Sequence, residues 1–225
     1  MAQRSCFYDA QMTKWKTLTL LLSPHKSFPT LVAGQLTKVN ELGINSLYVV
    51  AQNNKEKVMF EWRVKKFAAL SVDELYDFLR ERVDIFIVDM NTPYSDLDGK
   101  DNHPETYHIM GYDNERLVAY SRIMPPKLGY PSDVLPLIDP NADDVCIGRV
   151  IVAKEYRGKQ VGNQLMQVSF DATRKIYPEN SIFISAQAHL KDYYGKFGFD
   201  VVTDTYLEDG CTMLGLRYIP EVVTA

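Results

Sequence analysis

A turn rich in glycine and basic residues separates an apolar run from a helix-like segment in GRVIVAKEYRGKQVGNQLM, residues 148–166. A helix that begins at such a turn leaves its first amide N–H groups without intrahelical partners, and its dipole is positive at that end. Gly158 and Gly162 allow a ligand to approach the backbone closely. Arg157 and Lys159 add positive charge. An anion, and a phosphate group in particular, is the ligand that this chemistry favours.

The phosphate hypothesis has a competing interpretation, because a single turn of this kind is a weak signal. The turn lacks the GxxxxGK[ST] spacing of a Walker loop and the GxGxxG pattern of a dinucleotide site. A solvated crossover loop with incidental basic residues explains the same sequence. Both interpretations stay open on this stretch alone.

The elements that must position this turn alternate between strand-like and helix-like patterns. Ser71 and Glu74 form a capping-box pattern that predicts a helix through about Asp89. Two strand-like runs around Asp113-Asn114-Glu115 predict an antiparallel hairpin. Loops are expected at 91–105 and at the proline-rich residues 125–144. The other predicted elements are strands at 61–67, 146–153, 181–186, 199–206 and 212–219, and helices at 160–176 and 188–196.

This order of elements predicts one domain of the α/β (α+β) class, with a mixed sheet and crossover helices. The chain has 225 residues, of which 46% are hydrophobic and 12% aromatic, enough for a sizeable core. The net charge of −4 does not point to a nucleic-acid partner. Three widely spaced cysteines without a CxxC motif suit a reducing compartment, and we expect a cytoplasmic protein. We expect neither a membrane span nor a metal site, because no apolar run and no ligand spacing fits one.

The charge of the chain changes sign near Met59. Residues 1–58 carry seven Lys or Arg and three Asp or Glu, a net charge of +4, whereas residues 59–225 carry 18 and 26, a net charge of −8. The first segment could be an acid-poor transit peptide, a poorly ordered appendage, or upstream sequence included by a start codon placed too early. The third interpretation is favoured, because Met59 leads directly into the strand-like MFEWRVKKF. We therefore divide the chain into an N-terminal extension, 1–58, and a domain, 59–225.

A second glycine turn, YYGKFGF at residues 193–199, follows one strand–helix unit after the first. Together, VIVAKEYRGKQVG and YGKFGF resemble the two signature segments of the GCN5-related N-acetyltransferases (GNAT). The wider match is similar to the ElaA-like branch of that superfamily, and it runs from about Met59 to Ile219. It is carried by EWRVKKFAALSVDELYDFLRERVDIFIV, PYSDLDGKD, HIMGY, LVAYSRI, IGRVIV, GNQLM, AQAHLKDYYGKFGF and YLEDG.

The resemblance implies the GNAT fold, a mixed and mostly antiparallel sheet flanked by helices, in which two central strands splay apart. It also implies acetyl-CoA as co-substrate, with the pantetheine arm against the backbone of Val150, Ile151 and Val152. The pyrophosphate would lie at the helix N-terminus, and Gln160 there departs from the family's RxxGxG pattern, which usually has glycine. The matching residues at this turn are Arg157, Gly158, Lys159, Gln160, Val161, Gly162 and Asn163.

The resemblance further implies transfer of the acetyl group to an amine by direct attack in a ternary complex. Tyr194 falls on the family's tyrosine, whose implied role is the general acid that protonates the coenzyme thiolate. A tyrosine that only packs against the sheet is the alternative. Gln187 matches a position where relatives often place Asn or Ser near the pantetheine.

No general base carries over from the resemblance, because the glutamate that some relatives use corresponds to about Cys146 here. The candidate bases are His108, Asp144 and Glu208, and His108 could equally be a structural histidine.

The acceptor amine, a small molecule or a peptide, is expected between the first helix, the 91–105 loop and YLEDG. The acidic stretch SDLDGKD would attract a cationic amine, although a solvated turn explains it equally well. Arg122 and Arg149 lie in otherwise apolar strands, where a buried charge needs a partner. Their candidate partners are Asp96, Asp98 and Glu208.

Two further functions stay open. Acyl-homoserine lactone synthases share the architecture but use an acyl carrier protein and S-adenosylmethionine, and the turn at 157–162 argues against them. A coenzyme-binding sensor without catalysis is the other possibility, because no base is obvious. The oligomeric state is open as well, with a homodimer as one candidate.

Overall fold

The computed structural model of the chain describes residues 47–49, by their backbone, and residues 60–220. Three α-helices and nine strands occur in these residues. The helices are α1 (Val72–Arg82), α2 (Val161–Ile176) and α3 (Lys191–Gly195). The strands are β1 (Leu47–Val49), β2 (Phe60–Lys66), β3 (Tyr107–Asp113), β4 (Arg116–Met124), β5 (Val145–Val152), β6 (Ile182–Gln187), β7 (Asp200–Val201), β8 (Tyr206–Glu208) and β9 (Cys211–Tyr218).

The strands form one mixed sheet in the order β1-β2-β3-β4-β5-β6-β9-β7, and β8 pairs with the same edge of β9. Among the described strands, β5 and β6 make the one parallel pair, and α2 is the crossover between them. The predicted fold class, a mixed and mostly antiparallel sheet flanked by helices, is confirmed.

Helices cover both faces of the sheet. On one face, α2 and α3 pack against the largest apolar cluster, which includes Trp62, Leu165 and Ile184. On the other face, α1 places Phe78 in a second cluster with Tyr120 and with Ile151 of β5. β5 therefore contributes to the apolar clusters on both faces of the sheet.

The local sequence signals explain how α1 begins. The Ser71 side chain accepts a hydrogen bond from the Glu74 backbone N–H, and the Glu74 side chain accepts one from the Ser71 N–H, so the predicted capping box is present. The helix then continues as a π-helical segment from Val83 to Asp89. The predicted end near Asp89 is thus confirmed, whereas the change of hydrogen-bond pattern after Arg82 was not predicted.

The strand predicted at 199–206 is wrong. Two short strands, β7 and β8, replace it, because the backbone N–H of Gly215 on β9 donates to Thr203 Oγ1 at 2.8 Å. A side chain thereby takes the place of a backbone carbonyl, which interrupts the ladder between the two strands. The predicted hairpin around Asn114, the loop at 91–105 and the proline-rich loop after β4 are confirmed.

The predicted N-terminal extension lies outside the described residues except for β1, which pairs antiparallel with β2. The division of the chain at Met59 therefore stays a prediction. Across residues 60–220, no helix has the length and apolarity that crossing a bilayer would need.

Candidate functional site

A cleft opens in the middle of the sheet where β5 and β6 diverge. The two strands pair at Val145–Ile182 and Cys146–Phe183, and no further pair continues the ladder. The predicted splay of the central strands is thus present, and the cleft that it opens has a volume of about 430 Å³. Its walls include Val150, Ile184, Ser185, Gln187, Leu190, Tyr194, Glu208 and Met213.

A β-bulge on β5 shapes one wall of this cleft. Arg122 of β4 pairs with Gly148, and Tyr120 pairs with Ile151, so two β5 residues lie opposite one β4 residue. The first of the two, Arg149, has a φ of 52°, a left-handed conformation that disfavours any residue with a Cβ. The bulge directs Val150 towards the cleft, while Ile151 stays buried in the cluster beneath α1.

A closed ring of six charged side chains holds the bulge in place. Each arginine contacts two aspartates and each aspartate contacts two arginines, at N–O distances from 2.6 to 3.4 Å. Around the ring the order is Arg82, Asp96, Arg149, Asp98, Arg122 and Asp101. The ring joins α1, the 91–105 loop, β4 and β5, and its formal charges cancel.

The ring corrects one expectation about the acidic stretch SDLDGKD. Its three aspartates are neither a solvated turn nor a free attractant for a cation, because the arginines neutralise them. Burial alone would raise the pKa of Asp98, yet the hydrogen-bonded guanidinium of Arg122 holds that pKa well below its usual range. Pairing of Arg122 and Arg149 with Asp96 and Asp98 is confirmed, whereas Glu208 forms no ion pair with either arginine.

The N-terminus of α2 offers unpaired amide groups. Gln160 is the N-cap residue but supplies no side-chain hydrogen bond to the helix, and the first intrahelical bond runs from the Gln164 N–H to the Gln160 carbonyl. The amides of residues 161–163 therefore have no partner within the helix. Gly158 and Gln160 have φ values of 75° and 67°, so the turn reverses direction through two left-handed residues.

Side chains of this turn close it against β5. Arg157 Nε donates to the Val152 carbonyl at 3.0 Å, and the Asn163 side-chain amide donates to Gln160 Oε1. A Cβ on Gly162 would lie 3.3 Å from the Tyr193 hydroxyl and 3.8 Å from Val152. The helix N-terminus thus adjoins the end of β5, although the turn itself does not line the 430 Å³ cleft.

Tyr194 of α3 lies on the cleft wall. Its ring is buried, and the centroid of this ring lies 5.1 Å from that of Tyr193 and 6.2 Å from that of Phe199. Burial, together with the neighbouring Tyr193, raises the pKa of its hydroxyl, so Tyr194 is a protonated phenol at neutral pH. A protonated hydroxyl in a cleft is what a general acid requires.

Glu208 ends β8 and also lines the cleft. The Asp209-Gly210 turn behind it has φ values of 49° and 81°, which is the geometry of a two-residue type I′ hairpin. The Glu208 carboxylate accepts a hydrogen bond from Ser185 Oγ at 2.9 Å, and Tyr206 Oη lies 2.6 Å from the same Oγ. Burial raises the pKa of the Glu208 carboxyl, which makes it a stronger base than an exposed glutamate.

The other two candidate bases lie away from the cleft. His108 is fully buried under Phe78: its Nδ1 accepts from Tyr120 Oη at 2.8 Å, and its Nε2 donates to the Asp101 carbonyl at 3.1 Å. Burial lowers its pKa to about 4. Asp144 is buried between Tyr130, which donates at 2.7 Å, and Arg217 at 2.7 Å. Neither side chain reaches the cleft wall, so Glu208 is the candidate base with access to it.

Of the predicted site residues, Val150, Gln187, Tyr194 and Glu208 are brought together in one cleft. Sequence reasoning missed Ser185, Tyr206 and the role of Arg149 in the bulge. The Asp209-Gly210 dipeptide between apolar runs was a usable hairpin signal that would have placed Glu208 at a strand end. Ser185 left no such signal, because its partner Glu208 is 23 residues away.

Comparison with known proteins gives consistent matches. The family model described as Acetyltransferase (GNAT) domain matches residues 137–219. Protein ElaA of Escherichia coli strain K12 is 39% identical over 158 residues, which are 70% of this chain and 95% of ElaA. The crystal structure of ElaA superposes with a TM-score of 0.62 and 38% identity, covering 71% of this chain and 99% of that one. An acyl-CoA N-acyltransferase from Pseudomonas aeruginosa gives a TM-score of 0.63 and 34% identity over the same shares.

Proposed function

Because the chain belongs to the ElaA-like branch of the GNAT acyltransferases, we propose that it transfers the acetyl group of acetyl-CoA to an amine. The observation that carries this proposal is the cleft between β5 and β6, which brings Val150, Tyr194 and Glu208 to one space. A thioester carbonyl in that space would have a strand edge, an acid and a base around it.

The coenzyme would lie along β5 and end at α2. The divergence of β5 from β6 leaves the β6-facing edge of residues 150–152 without a strand partner, so this edge can face the amides of a pantetheine arm, with the Val152 carbonyl already bonded to Arg157. The pyrophosphate would then meet the amides of Val161, Gly162 and Asn163, which have no partner within the helix and lie at its positive end. These two sites adjoin, because a Cβ on Gly162 would already touch Val152 and Tyr193.

The chemical step requires a base and an acid at separate atoms. Glu208 would take a proton from the acceptor ammonium, and the free amine nitrogen would attack the thioester carbonyl carbon. As the tetrahedral intermediate collapses, the C–S bond breaks and Tyr194 gives its proton to the leaving thiolate. The attacking nitrogen then loses its second proton, which restores the Tyr194 phenol and leaves a neutral amide. The raised pKa values suit the two roles in different ways: Tyr194 keeps the proton that it must give, and the Glu208 carboxylate is a stronger base than it would be in water.

Substitution of Tyr194 by Phe tests this assignment. We expect turnover to fall roughly 100-fold or more, because general acid catalysis contributes about 10²–10⁴, while coenzyme affinity stays the same. Thiol release from acetyl-CoA with a panel of primary amines measures turnover, and titration calorimetry measures acetyl-CoA binding. Tyr218→Phe is the matched control, since Tyr218 packs on Phe170 at 4.7 Å outside the cleft.

The same panel separates the alternatives. Unchanged turnover in Tyr194→Phe would remove this residue from the mechanism. Binding of acetyl-CoA without thiol release on any amine would support a coenzyme sensor, and release only with carrier-protein donors would support a lactone synthase. The cytoplasmic location remains part of the proposal and rests on the three widely spaced cysteines, which lack a CxxC motif.

A further inference from the structure

The Glu208 carboxylate stands at the end of a hydrogen-bond chain that begins inside the protein. Tyr206 and Glu208 are two residues apart on β8, so their side chains project from the same face. Ser185 of β6 lies between them, 2.6 Å from Tyr206 Oη and 2.9 Å from Glu208 Oε2. Ser185 and Glu208 line the cleft, whereas Tyr206 is buried and does not.

We infer that Ser185 and Tyr206 are positioning residues that hold Glu208 in its ionised, proton-accepting form against the cleft. This inference rests on the proposed function, in which Glu208 accepts the proton of the acceptor amine.

The directions of both hydrogen bonds follow from the chemistry of the three groups. An ionised carboxylate only accepts, so the Ser185 hydroxyl must donate to Glu208. The Ser185 oxygen is then free to accept, and the phenol of Tyr206 donates to it. Burial raises the pKa of Tyr206 to about 12, so its hydroxyl keeps its proton at the pH of the reaction. A chain of this kind strengthens each of its bonds and favours the charged form of the acid at its end.

The inner end of the chain is fixed by packing. Tyr206 belongs to an apolar cluster with Met124, Cys146 and Phe183, three residues that also line the cleft. Its hydroxyl is the polar group of an otherwise apolar side chain, and Ser185 satisfies it. The rigid cluster therefore fixes the Tyr206 hydroxyl, which in turn orients Ser185 and the carboxylate.

Charges from every side act on Glu208. Burial raises its pKa, the Ser185 hydrogen bond and the charge of Arg149 lower it, and Asp209 and Asp133 raise it. Arg149 is already neutralised within the six-residue ring and donates no hydrogen bond to Glu208. Ser185 is consequently the group in direct contact that offsets burial, and its loss should move the titration of Glu208 to higher pH.

Ser185→Ala is the first test. Catalysis needs ionised Glu208, so kcat/KM falls on the acidic side as this group gains its proton. We expect the acidic limb of the kcat/KM profile to move up by roughly one pH unit or more, because the ionised carboxylate loses the hydrogen bond that favours its charged form. Tyr206→Phe should move the limb in the same direction by less, and Ser185→Thr should restore it.

Two further variants make the result specific. Glu208→Gln should abolish the acidic limb together with most of the activity. Tyr130→Phe is the matched control, because it removes another buried tyrosine hydroxyl from the same apolar cluster, one that donates to Asp144 at 2.7 Å rather than to Ser185. Its stability should fall, but its acidic limb should coincide with that of the native protein. A purely structural role for Ser185 predicts the same behaviour for Ser185→Ala.

NMR of the Glu208 carboxyl carbon also follows the titration of this group directly. The effect of the Ser185 hydrogen bond is thereby tested without any turnover. An upward shift in Ser185→Ala supports the inference even if no amine is acetylated, which would defeat the proposed function alone. An unmoved Glu208 titration overturns the inference and leaves the proposed function standing. If Glu208→Gln keeps both rate and limb, the base assignment and the inference fail together, while the role of Tyr194 is still decided by its own variant.

Discussion

Single residues in this protein owe their chemistry to burial, and His108 shows the effect away from the cleft. A backbone carbonyl only accepts, so the contact with Asp101 requires the proton on Nε2, and Nδ1 then accepts from Tyr120. Protonation would add a donor where Tyr120 already donates and would place a charge inside the core. The imidazole therefore stays neutral in the folded protein down to a pH of about 4.

This depressed pKa predicts a pH-dependent stability. The unfolded chain takes up a proton near pH 6.5, whereas the folded chain does so at about 4, so stability is full above 6.5 and falls as the pH decreases towards 4. The loss attributable to His108 is up to about 3 kcal/mol. Urea unfolding at several pH values measures it. In His108→Gln, the free energy of unfolding should lose the part of its pH dependence that His108 causes between about 6.5 and 4. An equal pH dependence in the two proteins would contradict the prediction.

For single residues, the sequence shows which side chains could act as acid or base, but not which of them reach the cleft. The match of Tyr194 to a motif led to the cleft, and Gln160 has a left-handed φ, a conformation that glycine adopts more readily than glutamine. His108 and Asp144 were proposed as bases because their side chains titrate. Only tertiary packing reveals that both are enclosed, since their partners lie from 7 to 73 residues away in the chain.

Among the secondary-structure elements, β5 carries a bulge, takes part in the ring of six charged side chains, and has an edge without a strand partner beyond Cys146. The positive φ of Arg149 is maintained by its bonds to Asp96 at 2.8 Å and to Asp98 at 3.4 Å. The arginine is therefore held in an unfavourable backbone conformation by the same contacts that anchor the 91–105 loop.

Replacement of Arg149 by Gly and by Ala separates these two effects. Both variants lose the ion pairs, but only Ala retains a Cβ at a φ of 52°. We expect Arg149→Gly to be more stable than Arg149→Ala by about 1 kcal/mol, the reverse of the usual order in a strand. Thermal or urea unfolding measures the difference. If Ala is the more stable of the two, the bulge does not persist without the ring.

The elements themselves were largely predictable, because capping boxes, alternation and prolines are local signals. The capping box of α1 and the hairpin at Asn114 follow from neighbouring residues alone. The bulge depends on register between β4 and β5, and the ring joins residues from 82 to 149. Neither has a local signature: the bulge was not predicted, and of the ring only the pairing of Arg122 and Arg149 with Asp96 and Asp98 was. The split of β7 from β8 likewise depends on one contact between Thr203 and Gly215.

For the whole molecule, the charge of the chain changes sign near Met59, where the strand-like MFEWRVKKF begins. We therefore propose that residues 59–225 are the acyltransferase domain and that they fold without residues 1–58. The fragment 59–225 should unfold cooperatively and acetylate the same amines as the full chain. Calorimetric unfolding and the thiol-release assay compare the two proteins.

Failure of this fragment to fold would show that the N-terminal part is structural, with the pairing of β1 against β2 as the first contact to examine. N-terminal sequencing of the native protein decides separately whether residues 1–58 are present in the cell.

The divergence of β5 and β6 has a consequence for the cohesion of the sheet. Two residue pairs join the strands on one side of the molecule, β1 to β5, to those on the other, β6 to β9. A ligand that bonds to both inner edges would act as a missing strand, and binding at a hundred times its dissociation constant adds about 2.7 kcal/mol to the free energy of unfolding. The concentration of coenzyme in the cell would then govern how long each copy of the protein persists, as well as how fast it works.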